Sequence, residues 1–105
     1  MALNKAVFEG TLKRIPQIRE LASGARRCDF TVRVLRDRSE DNYNYIDCSA
    51  YNKMAESLQY ADLTQRVRIR GSIRTWRTES GVKKFSVNVE KWEQIPAKAM
   101  PEQDA

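Results

Sequence analysis

From Cys28 onward, apolar and polar residues alternate. Cys28, Phe30, Val32 and Val34 point one way, and Asp29, Thr31, Arg33 and Leu35 the other. Period two marks a strand with one buried face. The alternation returns between Tyr43 and Tyr51, with Ile46, Cys48 and Ala50 on one face and Tyr43, Tyr45, Asp47, Ser49 and Tyr51 on the other. It is strongest after residue 65. There Val67, Ile69, Gly71 and Ile73 face inward, while Arg66, Arg68, Arg70, Ser72, Arg74, Trp76 and Thr78 face outward. A last strand sets Phe85, Val87 and Val89 against Lys84, Ser86, Asn88 and Glu90. Asn4 to Leu12, with Val7, Phe8 and Gly10, reads as a first strand.

Breaks between these segments set the order. Pro16 interrupts regularity, Ser23-Gly24 marks a turn, Arg36 to Asn42 is a charged loop, and Glu79-Ser80-Gly81 makes a hairpin. Lys53 to Ala61 reads as a short helix with Met54, Leu58 and Ala61 on one side, and Asn52 is a candidate cap. From Ile95 on, Pro96 and Pro101 suggest a flexible tail. Three strands, a helix and two strands are the layout of an all-β, five-stranded OB-fold barrel with one short helix between strands three and four. An α+β sandwich would give the same pattern. The expected organisation is one domain over residues 1–94 and a short tail over 95–105.

Composition narrows the chemistry. Among 105 residues there is no histidine, which excludes Ser-His and Cys-His catalysis and His-ligated metals. Cys28 and Cys48 form no metal motif and are expected to be reduced, buried and inert. Gly10, Gly24, Gly71 and Gly81 stand apart, so no glycine-rich phosphate loop is present. Glu40 and Asp41 lie in a charged loop and suit solvation better than acid–base work. No enzyme activity and no cofactor is expected. Apolar runs are too short to span a membrane, and the N-terminal residues lack the apolar core of a signal peptide, so a cytoplasmic protein is expected.

The outward faces carry the functional signal. Lysine and arginine outnumber aspartate and glutamate by 19 to 14, a weak pointer to an anionic partner. More telling is the row Arg66, Arg68, Arg70 and Arg74 ending in Trp76, because like charges at that spacing repel. A phosphate backbone would offset the repulsion. On strand three, Tyr43, Tyr45 and Tyr51 share the non-core face, and Arg33 shares that of strand two. Single-strand binders combine aromatics that stack on bases with cations that track phosphates. A solvated basic face, with its aromatics buried between subunits, would give the same pattern. Two other classes stay open: an OB module that binds protein, and a sequence-specific RNA binder.

Four segments also resemble a known family. Asn4-Lys5-Ala6-Val7-Phe8-Glu9-Gly10-Thr11-Leu12 is similar to the N-K-V-x-L-x-G-x-L opening of bacterial single-stranded DNA-binding proteins. Ser23-Gly24, followed by Phe30-Thr31-Val32, resembles their next segment. Tyr45 to Glu56, with Tyr51-Asn52-Lys53 and Ala55-Glu56, resembles a third, and Val67 to Thr75 around Gly71 a fourth. The likeness runs in order over about residues 4 to 92.

This resemblance implies an OB-fold, single-stranded DNA as partner, a role in replication, recombination or repair, no cofactor, and a homotetramer. It implies base stacking at Tyr45 and Tyr51. The family's stacking tryptophan on strand four falls at Thr78, and Trp76, two residues earlier on the same face, is expected to take its place. Another family tryptophan falls near Arg38. The expected DNA-binding set is therefore Tyr43, Tyr45, Tyr51, Trp76, Arg33, Arg68, Arg70 and Arg74. The last residues, Glu102-Gln103-Asp104-Ala105, are acidic but not apolar, unlike the family's acidic, apolar tip that recruits other proteins, so such recruitment is not expected. The short form also resembles the primosomal replication protein, a dimeric OB-fold relative, through Ser23-Gly24 and Cys28-Asp29-Phe30.

Overall fold

A computed structural model describes residues 3–37 and 40–96. Arg38 and the tail beyond Pro96 lie outside the described residues. The strands are β1 (Ala6–Leu12), β2 (Ile18–Glu20), β3 (Arg26–Leu35), β4 (Tyr43–Tyr51), β5 (Arg66–Arg77) and β6 (Lys83–Ile95). Helix α1 (Asn52–Ser57) lies between β4 and β5 and runs on into a 3₁₀ turn over Leu58–Tyr60.

Five strands close on themselves. Around the ring β1 pairs with β5, β5 with β6, β6 with β4, β4 with β3, and β3 with β1 through Thr11↔Arg33 and Leu12↔Val32. All pairings are antiparallel except β4–β6, which is parallel at Cys48↔Val87 and Ser49↔Asn88. This closed five-stranded barrel with one short helix is the OB-fold expected from the element order. A sixth strand, β2, adds to the edge of β3 and was absent from that order.

Alternation explains the core. Cys28, Val32, Cys48, Ala50, Val67, Ile69, Val87 and Val89 are buried inside the barrel. Ala55 and Leu58 close one end over them, and the indole Nε1 of Trp92 donates to Ser57 Oγ at 2.7 Å, tying the helix to β6. Two glycines permit the tight corners of so small a barrel. A Cβ at Gly10 would overlap the carbonyl oxygen of Arg33, and one at Gly71 that of Asn88. Gly71 also sits at a bulge where β6 inserts Glu90 between Lys91 and Val89, its pairs with Arg70 and Gly71.

The structure corrects three expectations. Asn52 does not cap the helix. It takes the left-handed φ of 51°, and its side-chain oxygen accepts from the Arg26 backbone N–H at 3.1 Å. The helix ends at Ser57 and yields to the 3₁₀ turn rather than running to Ala61. Ile73 and Phe85 have inward parity but are 44% and 53% exposed. Both faces of the β5–β6 hairpin are exposed beyond them, so it stands clear of the barrel as an arm.

Candidate nucleic-acid interface

Outward alternation on β3 and β4 builds one surface. In register across the two strands lie Arg27↔Tyr51, Asp29↔Ser49, Thr31↔Asp47 and Arg33↔Tyr45. The segment from Thr11 to Gln17, with Lys13 and Arg14, walls this surface on one side, and Trp76 and Ser86 of the β5–β6 arm contribute as well. The result is an open groove of about 640 Å³.

Aromatic rings in and beside the groove differ in what covers them. The Arg33 guanidinium lies 4.4 Å from the Tyr43 ring centre, and that of Arg27 lies 5.5 Å from Tyr51. These are cation–π contacts that occupy one face of each ring. Among the described residues no cation covers Tyr45 or Trp76, which are 64% and 47% exposed. They are the open platforms.

The arginines differ in the same way. Arg27 is held by Asp29 at 2.9 Å, and Asp29 also binds Arg19 at 3.1 Å. Burial raises the Asp29 pKa, but hydrogen bonds from Ser49 and Arg27 and the charges of Arg27 and Arg19 outweigh it, leaving that carboxyl below the usual aspartate range. The hydrogen bond to Asp29 in turn raises the Arg27 pKa. Arg33 makes no ion pair among the described residues, and its buried Nε has no hydrogen-bond partner there. Its charge is uncompensated inside the groove.

The row on β5 divides. Arg68 is outside the groove, 2.6 Å from Glu9 on β1 and 3.3 Å from Glu93 on β6. Arg66 also reaches Glu9, at 3.3 Å. Arg70 is exposed on the same outer face, opposite Val7 and Lys91 in register. Arg74 pairs with Ser86, and Trp76 with Lys84, so Arg74 and Lys84 share the groove-side face of the arm. The structure thus brings Arg33, Tyr45 and Trp76 together, sets Tyr43, Tyr51 and Arg74 beside them, and places Arg68 and Arg70 elsewhere.

Sequence reasoning missed Arg27, Lys13 and Arg14. Extending the β3 alternation back by one residue would have found Arg27. The wall residues come from an irregular segment with no period to read. Cys28 and Cys48 are buried free thiols. Burial raises both pKa values, that of Cys48 to about 12, so neither is a nucleophile at neutral pH. No group of three or more potential metal ligands gathers among the described residues, and no helix among them is long and apolar enough to cross a membrane.

A closed OB barrel with a groove over its β3–β4 face, where the open rings of Tyr45 and Trp76 meet the ion-pair-free Arg33, defines a class of single-strand binders. Comparison with known proteins agrees. Residues 3–94 match the model of the single-strand binding protein family, and the chain belongs to that family. A single-stranded DNA-binding protein of Clostridium perfringens (strain 13 / Type A) is 31% identical over 91 residues, covering 83% of this chain and 61% of the relative. The chain therefore spans about three fifths of the length of that relative.

Proposed function

We propose that this chain binds and protects single-stranded DNA along the β3–β4 groove, with no defined sequence required, in DNA replication, recombination or repair. The carrying observation is the meeting of two uncovered rings, Tyr45 and Trp76, with the unpaired Arg33 in one groove of a member of this family. Bases stack on the rings, and phosphates follow Arg33, Arg74 and the rim cations Lys13, Arg14 and Lys84. Tyr43 and Tyr51 support the platform from beneath their arginines. Arg70 is exposed and available to a strand leaving the groove. Arg68, held between two carboxylates, adds less. Residues 1–94 act as the binding domain in this reading, and the protein works in the cytoplasm with the DNA.

The same reading includes a homo-oligomer, a tetramer or else a dimer. Residues Ala6–Gly10 of β1 pair only with β5 and leave their other edge open among the described residues. Ile73, Val82 and Phe85 expose apolar surface on the arm. Open edges and apolar patches are what a second copy would cover.

Tryptophan fluorescence tests the DNA reading. Trp92 is half-buried against the core, so a Trp92→Phe variant reports on Trp76 alone. Single-stranded oligonucleotide should quench it, and duplex of the same sequence and salt should bind far more weakly, because duplex bases are already stacked. Equal affinity for the two would overturn the proposal.

A further inference from the structure

The groove floor is not uniformly basic. Its outer cross-strand rows, Arg27↔Tyr51 and Arg33↔Tyr45, match a cation with a ring, whereas the inner rows, Asp29↔Ser49 and Thr31↔Asp47, match a carboxylate with a hydroxyl. Both hydroxyl protons are spent within the floor. Ser49 Oγ donates to Asp29 Oδ1 at 2.7 Å, and Thr31 Oγ1 donates to Asp47 Oδ1 at 2.9 Å. Asp29 is further occupied by Arg27 and Arg19. Asp47 is not: its Oδ2 has no hydrogen bond or ion pair among the described residues, and the residue is exposed in the groove beside Tyr45.

The middle of the floor therefore offers acceptors and no free side-chain proton. A carboxylate repels phosphate, so the DNA backbone is confined to the cationic rims and the bases turn inward. A base stacked on Tyr45 then meets Asp47 with its edge. An amino group on that edge donates a charge-assisted hydrogen bond, whereas a carbonyl there is repelled.

We propose that Asp47, oriented by Thr31, is a specificity-determining residue that selects a base carrying an exocyclic amino group, and so favours cytosine over thymine next to Tyr45. This rests on the groove being the DNA-binding surface. Cytosine presents its N4 amino group where thymine presents O4, and aspartate accepts from N4. The two pyrimidines are close in size, so the platforms do not separate them.

The test compares the affinities of labelled oligo(dC) and oligo(dT), equal in length and at one salt concentration, by fluorescence anisotropy. Wild type, Asp47→Asn and Thr31→Val are measured. Asp47 is exposed, so its replacement leaves the core intact, and a thermal melt verifies folding. The asparagine amide can donate to thymine O4, so Asp47→Asn should lower the dC-to-dT affinity ratio by roughly tenfold, the worth of one charge-assisted hydrogen bond. Thr31→Val, which frees the carboxylate to turn, should lower the same ratio by less. If Asp47→Asn strengthens both oligonucleotides equally, the residue only repels phosphate: the inference falls and the groove stands. If neither affinity changes, both the inference and the groove assignment fall.

Discussion

At the scale of single residues, the division between covered and open groups makes the binding terms separable. Each phosphate contacted on a single strand releases counterions, so log K falls with log salt by about 0.7 per contact. Stacking has no such dependence. Arg33→Ala and Arg74→Ala should each flatten the salt slope by roughly one contact's share. Arg68→Ala should change it less, because Glu9 and Glu93 already neutralise that guanidinium. Tyr45→Ala and Trp76→Ala should weaken binding by about 1–3 kcal/mol and leave the slope unchanged. Titrations at several salt concentrations check all five variants. Asp29 gives a second prediction, read from stability. Its folded pKa lies below the ordinary value, so its contribution is present above that value and is lost as pH falls through the folded one. Thermal melts should show wild type losing stability as pH drops below about 4, where an ordinary aspartate titrates. Asp29→Asn should be less stable at neutral pH and lose less on acidification. A parallel loss in both proteins would assign the acid sensitivity to other groups.

At the scale of elements, what was legible in the sequence is what has a period. β3, β4 and the first half of β5 alternate without interruption, and their inward residues are the core. β2 has three residues, too few to show a period. Alternation in the last strand stops at Glu90 because the bulge there resets the period, and the strand resumes through Lys91, Trp92 and Glu93 to Ile95. Parity at Ile73 and Phe85 was legible, but burial was not, since where the barrel ends along the arm depends on the other strands. The arginine row was legible too. Its carboxylate partners were not: Glu9 lies in a strand 59 residues away from Arg68. In the groove, Tyr45 and Trp76 announce themselves as exposed aromatics, whereas Arg27 over Tyr51 and Arg33 over Tyr43 appear only once β3 and β4 are in register. The corner glycines yield an element-scale prediction. Gly10→Ala forces β1 away from the Arg33 carbonyl and should cost about 1–3 kcal/mol or more in chemical denaturation, as overpacking does. Gly24→Ala meets no atom and strains only a φ of 90°, a penalty of about 1–2 kcal/mol. The reverse order would mean that the β1–β3 corner opens without cost.

At the scale of the whole molecule, the open β1 edge and the apolar arm bear on assembly. Light scattering at micromolar concentration should give a multiple of the 12.2 kDa chain mass, and Phe85→Lys should shift it toward the monomer. A wild-type monomer would contradict the homo-oligomer. Ring closure has one more consequence, for synthesis rather than for binding. β6 is the last of the described strands in chain order, and it bonds on both sides, to β5 along its length and to β4 at Cys48↔Val87 and Ser49↔Asn88. Until it emerges, β4 and β5 each present an unmatched edge. β1 must likewise wait for β5, since Glu9 meets Arg68. Closure of the barrel thus waits for β6, and its long-range pairings give the fold a high contact order. Until β6 emerges, those open edges leave the polypeptide vulnerable to aggregation.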